Sequence, residues 1–157
     1  MWREEGAGEV YTYLPPGYAA NDVQCNVPPF STCNPTYGAS VGRGAFHFQP
    51  GQWTTVSQRV RLNDPGQANG EIELFVDGQS TINVSGLVLC DSAAGRFRGI
   101  QIQTFFGGVF FFFHWCVLRV TNRAALSTCV GSTAAWASPQ YQTAYFSDFS
   151  VAIIETF

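Results

Sequence analysis

The chain has 157 residues, enough for one ordinary domain with a real core and too few for two. Apolar residues make up 46% and charged residues 12%, with 16 glycines, 8 prolines and 14 phenylalanines, a balance that favours compact all-β structure over helix bundles or disorder. The net charge is −3 and all eight basic residues are arginines, so no basic stripe exists to neutralise a phosphate backbone and a nucleic-acid partner is excluded.

The first residues, "MWREEGAGEVYTYLPPGY", carry no apolar run behind a basic start, and so no secretory signal. From Glu9 to Leu14 the side chains alternate, which predicts a half-buried strand with Tyr11 and Tyr13 on one face and Val10, Thr12 and Leu14 on the other. A Pro-rich loop follows. In it Cys25 and Cys33 flank "NVPPFST", a spacing that suits either a small disulfide-closed loop or two free thiols in a reducing compartment. Cys90, Cys116 and Cys129 are left over. "SVGRGAFHFQPGQW" reads as the next strand, setting Arg43, Ala45 and His47 on one face against Gly44, Phe46 and Phe48.

"QWTTVSQRVRL" predicts a strand with Val56, Val60 and Leu62 on one side, and Arg59 and Arg61 on the other as surface charges opposite Glu71 or Glu73. It ends in the turn cluster "NDPGQANG". "EIELFVDGQSTINVSG" is a hairpin: Ile72, Leu74 and Val76 point inward, and Asp77-Gly78 supplies the two positive-φ positions of a tight turn. "FRGIQIQTFF" and "AYFSDFSVAII" read as two further strands. Short strands at regular spacing with Gly and Pro turns mean an antiparallel β-sandwich, of which the jelly roll is the commonest form with a ligand-holding face.

The segment "TFFGGVFFFFHWCVLRVTNRAALSTCVGSTAAWAS" breaks this pattern. A membrane helix is a poor explanation, since one needs about 20 apolar residues and His114 and Arg119 interrupt this run. A buried strand at "VFFFF" is the alternative. No metal constellation is visible either, because His47 and His114 are isolated and no carboxylate pair has ligand spacing.

Taken together and in order, "MWREEGAGEVYTYLP", "YGASVGRGAFHFQPGQWTTVSQRVRLND", "GEIELFVDG", "TFFGG" and "YFSDFSVAI" resemble the fungal branch of polysaccharide lyase family 14. The resemblance implies a jelly-roll lyase acting as a monomer on an acidic polysaccharide such as alginate or glucuronan, by β-elimination and without cofactor or metal. Such a reaction must neutralise the uronate carboxylate, supply a base, and protonate the leaving oxygen. The resemblance assigns these tasks to a lysine, a Ser-x-Arg strand and a following Tyr-x-Tyr strand. Tyr11 and Tyr13 match the last, as catalytic residues, although taken without the resemblance they read rather as cross-strand aromatics packing a sheet. Arg43 and His47 are candidates to contact a uronate or its hydroxyls, or else form a solvated surface pair. The Ser-x-Arg strand would fall just ahead of Met1, and the chain contains no lysine, so an N-terminally incomplete, inactive copy is expected. Its full-length parent would be secreted.

If residues 109–131 are deleted, "TFFGG" joins "STAAWASPQ" as in an uninterrupted family sequence. The segment starts at a valine, whose codons begin with GT, and a phenylalanine run is how a pyrimidine tract translates. Residues 1–157 are therefore expected to be one partial domain carrying an intron-like, non-native insert. A non-catalytic carbohydrate-binding sandwich, with Tyr11, Tyr13 and Trp53 stacking on sugar rings, is the competing expectation.

Overall fold

The computed structural model describes residues 3–97, 99–100, 116–121, 124–129 and 144–154. They fall into two compact units, Met1–Arg96 and Phe97–Phe157. The first holds two three-stranded antiparallel sheets. One has the order β1 (Val10–Thr12), β3 (Gly38–Val41), β2 (Thr32–Asn34), and the other runs in sequence through β4 (Val56–Arg61), β5 (Gly70–Val76) and β6 (Gln79–Leu87). The second unit holds a hairpin of β7 (Cys116–Thr121) and β8 (Ala124–Cys129).

Alternation builds the core of the first unit. Val10, Ala39 and Val41 from one sheet meet Ile72, Leu74, Ile82, Val84 and Leu87 from the other in one buried cluster. This is the antiparallel all-β sandwich that the period of two predicts. Ile82 and Leu87 are wholly enclosed, and each contributes about 1.5–3 kcal/mol relative to an exposed side chain.

The β5–β6 hairpin turns at Asp77 and Gly78, both at positive φ (49° and 80°), as the two-residue turn requires. Opposite β5, the register sets Arg59 against Glu73 and Arg61 against Glu71, and Arg59 bridges Glu73 at 2.7 Å. On β4 the expected inward face is only partly realised: Val60 is half-buried, whereas Val56 is exposed. β4 is the end strand of its sheet, and the core does not reach that far.

Three expectations are corrected. The alternating strand through Arg43 and His47 stops at Val41: Gly42 and Gly44 take positive φ (64° and 83°), Ala45 N–H closes a turn on the Gly42 carbonyl, and the face relation between Arg43 and His47 is lost. Within the Pro-rich loop, Ala19–Asn26 forms a 3-10 helix. It carries no apolar period because polar groups hold it: Asn21 exchanges hydrogen bonds with the backbone of Val88, Thr12 donates to Gln24, and a Cys25–Cys33 disulfide ties it to β2. Finally, residues 144–154 form no strand and leave Phe149, Val151 and Ile153 exposed, because a strand needs a paired neighbour to complete its ladder. Most of "FRGIQIQTFF" and the whole of the phenylalanine run lie outside the described residues.

Candidate active site

The alternation that runs through β1 sets Tyr11, with Glu9 just before the strand and Tyr13 just after it, on the face turned away from the core. Ser40 on β3 stands opposite Tyr11 in the register, and Thr32 on β2 opposite Ser40. The two tyrosine rings lie in tilted contact, centroids 5.4 Å apart. Tyr11 donates its phenolic hydrogen to the Tyr37 carbonyl at 2.5 Å. Tyr13, 61% exposed, packs over Gly38. That position must be glycine, for φ is +87° and a Cβ would sit 2.5 Å from the Thr12 carbonyl and 3.0 Å from the Tyr13 ring.

Beneath the tyrosines sits a charged cluster. Glu9 is fully enclosed, and both of its carboxylate oxygens are used. Oε1 receives Nε and Nη2 of Arg3 at 2.7 and 2.6 Å, while Oε2 receives the Ser40 hydroxyl at 2.6 Å and Nε of Arg43 at 2.8 Å. Burial works against the charged form of Glu9. The hydrogen bonds from Arg3, Ser40 and Arg43 outweigh it and hold the carboxyl below its ordinary value. Arg3 also lies over the Tyr11 ring, 5.6 Å from its centroid, and Arg43 over the Phe30 ring at 5.3 Å.

Tyr11 is displaced the other way. Burial pushes its phenol above the ordinary value, the neighbouring Tyr13 adds to this, Arg3 opposes it, and Glu9 together with a hydrogen bond shared with Tyr13 raises it further. A phenol so placed keeps its proton at neutral pH, which suits it to give a proton to a developing alkoxide rather than to take one.

Of the four candidates from the sequence, the structure brings Tyr11 and Tyr13 together and sets Arg43 beside them through Glu9. His47 stands apart. It bridges Ala7 in an antiparallel contact and its side chain is exposed. Arg3, Glu9 and Ser40 were missed, although Glu9 lies two residues before Tyr11 in the same alternation. Among the described residues no cluster of metal-ligating side chains occurs and no helix is long and apolar enough to cross a membrane. A cavity of about 310 Å³ lined by Tyr18, Asn63, Gln67 and Asp91 takes in neither tyrosine of the pair.

The family model for polysaccharide lyase 14 matches residues 1–111. Among solved structures, the chain is similar to the marine PL-14 alginate lyase from Aplysia kurodai, with 27% identity and a TM-score of 0.48 over 58% of this chain. The match spans 35% of that enzyme's length. No curated protein matches.

Proposed function

Because the chain belongs to polysaccharide lyase family 14, we propose that its tyrosine face is the β-elimination site of a uronan lyase, with alginate or glucuronan as the substrate class. The observation that carries this is the pairing of Tyr11 and Tyr13 on one sheet face beside an arginine. In the reaction, Tyr13 acting as its phenolate takes the proton from the carbon α to the uronate carboxylate and becomes the neutral phenol. The electron pair released forms the α–β double bond, the β-carbon–oxygen bond breaks, and the leaving oxygen takes the proton of Tyr11. Solvent returns one proton to Tyr11 and removes one from Tyr13.

The α proton is acidic enough only if the substrate carboxylate is neutralised. Here the chain is poorly equipped, since it contains no lysine and both Arg3 and Arg43 are bound to Glu9. We therefore expect the 157-residue chain to bind uronans without cleaving them. The Cys25–Cys33 disulfide supports an oxidising, secreted setting for the parent protein.

The sugar-binding alternative is favoured by one observation: Tyr13, Phe30, Tyr37 and Trp53 all expose their rings and could stack on sugar faces. A panel of uronans separates the two readings. The chain is compared with a version lacking 109–131 and extended ahead of residue 1 by a strand bearing a lysine and a Ser-x-Arg pair. On the lyase reading the extended protein generates unsaturated uronate ends, seen as new ultraviolet absorbance without added metal. In it, Tyr11→Phe or Tyr13→Phe lowers turnover by about 10²–10⁴ while binding holds. Binding of uronans by the extended protein with no cleavage of any would establish the sugar-binding reading instead.

A further inference from the structure

The chemistry just proposed makes no use of Glu9, the most deeply enclosed charge on the tyrosine face. An ionised carboxylate out of water is unfavourable unless paired and hydrogen-bonded, and one arginine suffices to balance its charge. Glu9 has two. The cluster of Arg3, Glu9 and Arg43 therefore carries one net positive charge directly behind the tyrosines. The two arginines are also held differently. Arg43 reaches Oε2 through Nε, gives Nη2 to the Ser40 hydroxyl at 3.0 Å, and rests on Phe30. Arg3 places both Nε and Nη2 on the single oxygen Oε1, which fixes the plane of its guanidinium, and that guanidinium lies on the ring of Tyr11.

We infer that Glu9 is a positioning residue: it fixes Arg3 against Tyr11, so that Arg3, rather than Arg43, is the cation of the tyrosine pair. The part this plays in catalysis rests on the lyase reading above. The fixing of Arg3 does not, and it is measured without substrate.

Among the described residues, the groups that face Tyr11 are Tyr13 next along the same alternation, Arg3, Glu9 and the Tyr37 carbonyl. Ultraviolet titration of the chain, and of each variant against its own Tyr11→Phe counterpart, isolates the ionisation of Tyr11. Arg3→Ala removes the neighbour that favours the phenolate, so Tyr11 should titrate at higher pH. Glu9→Gln then discriminates. Were Glu9 acting by its own charge alone, losing it would move the titration down. If it holds Arg3, the larger influence of the arginine disappears with it, the titration moves up, and adding Arg3→Ala changes nothing more. Should Glu9→Gln fail to fold, Glu9→Asp keeps the charge but draws the carboxylate back from Arg3, and the same upward shift is expected. A downward shift in Glu9→Gln, an unmoved titration in Glu9→Asp, or no effect of Arg3→Ala overturns the inference. In a version made active as above, the alkaline limb of the pH–rate profile should move with the titration. Absence of all lyase activity would sink the catalytic reading while leaving the titration result intact.

Discussion

A carboxylate as enclosed as that of Glu9 makes the stability of the fold depend on pH. Its native pKa lies below the unfolded value of about 4.3, because Arg3, Ser40 and Arg43 donate to the charged form more strongly than burial opposes it. The unfolded state therefore takes up protons first as pH falls. The stabilisation is complete above the unfolded pKa and is lost as pH drops through the depressed native one. Denaturation midpoints should be flat from neutral pH to about pH 5 and fall below it, and Glu9→Gln should flatten that fall. At neutral pH, Glu9→Ala leaves two guanidiniums and a buried hydroxyl without their acceptor and should cost about 3–5 kcal/mol by chemical denaturation. A loss under 1 kcal/mol would mean the cluster reorganises around solvent. The tyrosine pair was legible because strand alternation is local. The role of Glu9 was not, since its partners Ser40 and Arg43 lie 31 and 34 residues away and only the register of β1 on β3 brings them in.

Turns decide where the strand pattern held and where it failed. Asp77-Gly78 is a two-residue turn between alternating runs, and both strands formed on either side of it. At Gly42–Gly44 two positive-φ glycines break an equally regular alternation, and nothing in the period of "SVGRGAFHF" marks the break. The glycines yield a graded prediction. Gly78 has φ of +80° with open space where a Cβ would go, so Gly78→Ala should cost only the left-handed backbone strain, about 1–2 kcal/mol. Gly38→Ala adds a clash with the Thr12 carbonyl to the same strain. It should be the more destabilising by denaturant midpoint, and should also displace the Tyr13 ring. Equal losses would show that β1 and β3 can part without cost. The Cys25–Cys33 link closes an eight-residue separation between the 3-10 helix and β2. On chain entropy it contributes about 2.5 kcal/mol, so the double serine variant, or the chain under reductant, should unfold that much more readily.

At the scale of the whole chain, the sequence shows a family pattern with a discordant stretch, and the structure shows two units of unlike character. Each strand of the first unit pairs with a neighbour inside residues 1–96, and the family model runs to residue 111, three residues into the segment proposed to be foreign. Within that segment the described residues, 116–121 and 124–129, pair only with one another, Cys116 opposite Cys129 through Thr121 opposite Ala124. Local alternation alone can form such a hairpin, so its presence does not tie the segment to the family's sandwich. What marks it as foreign is the motif it interrupts, "TFFGG" running on to "STAAWASPQ". Deleting 109–131 should then leave the main unfolding transition of the first unit where it is. It should also raise the yield of monodisperse protein, because "VFFFF" is an uncharged window of high β-propensity. Differential scanning calorimetry and size-exclusion chromatography of the two versions measure both effects, and transcript sequencing shows whether codons 109–131 survive splicing. If the deletion lowers the transition by several degrees, the segment contributes contacts to the sandwich and belongs to the domain.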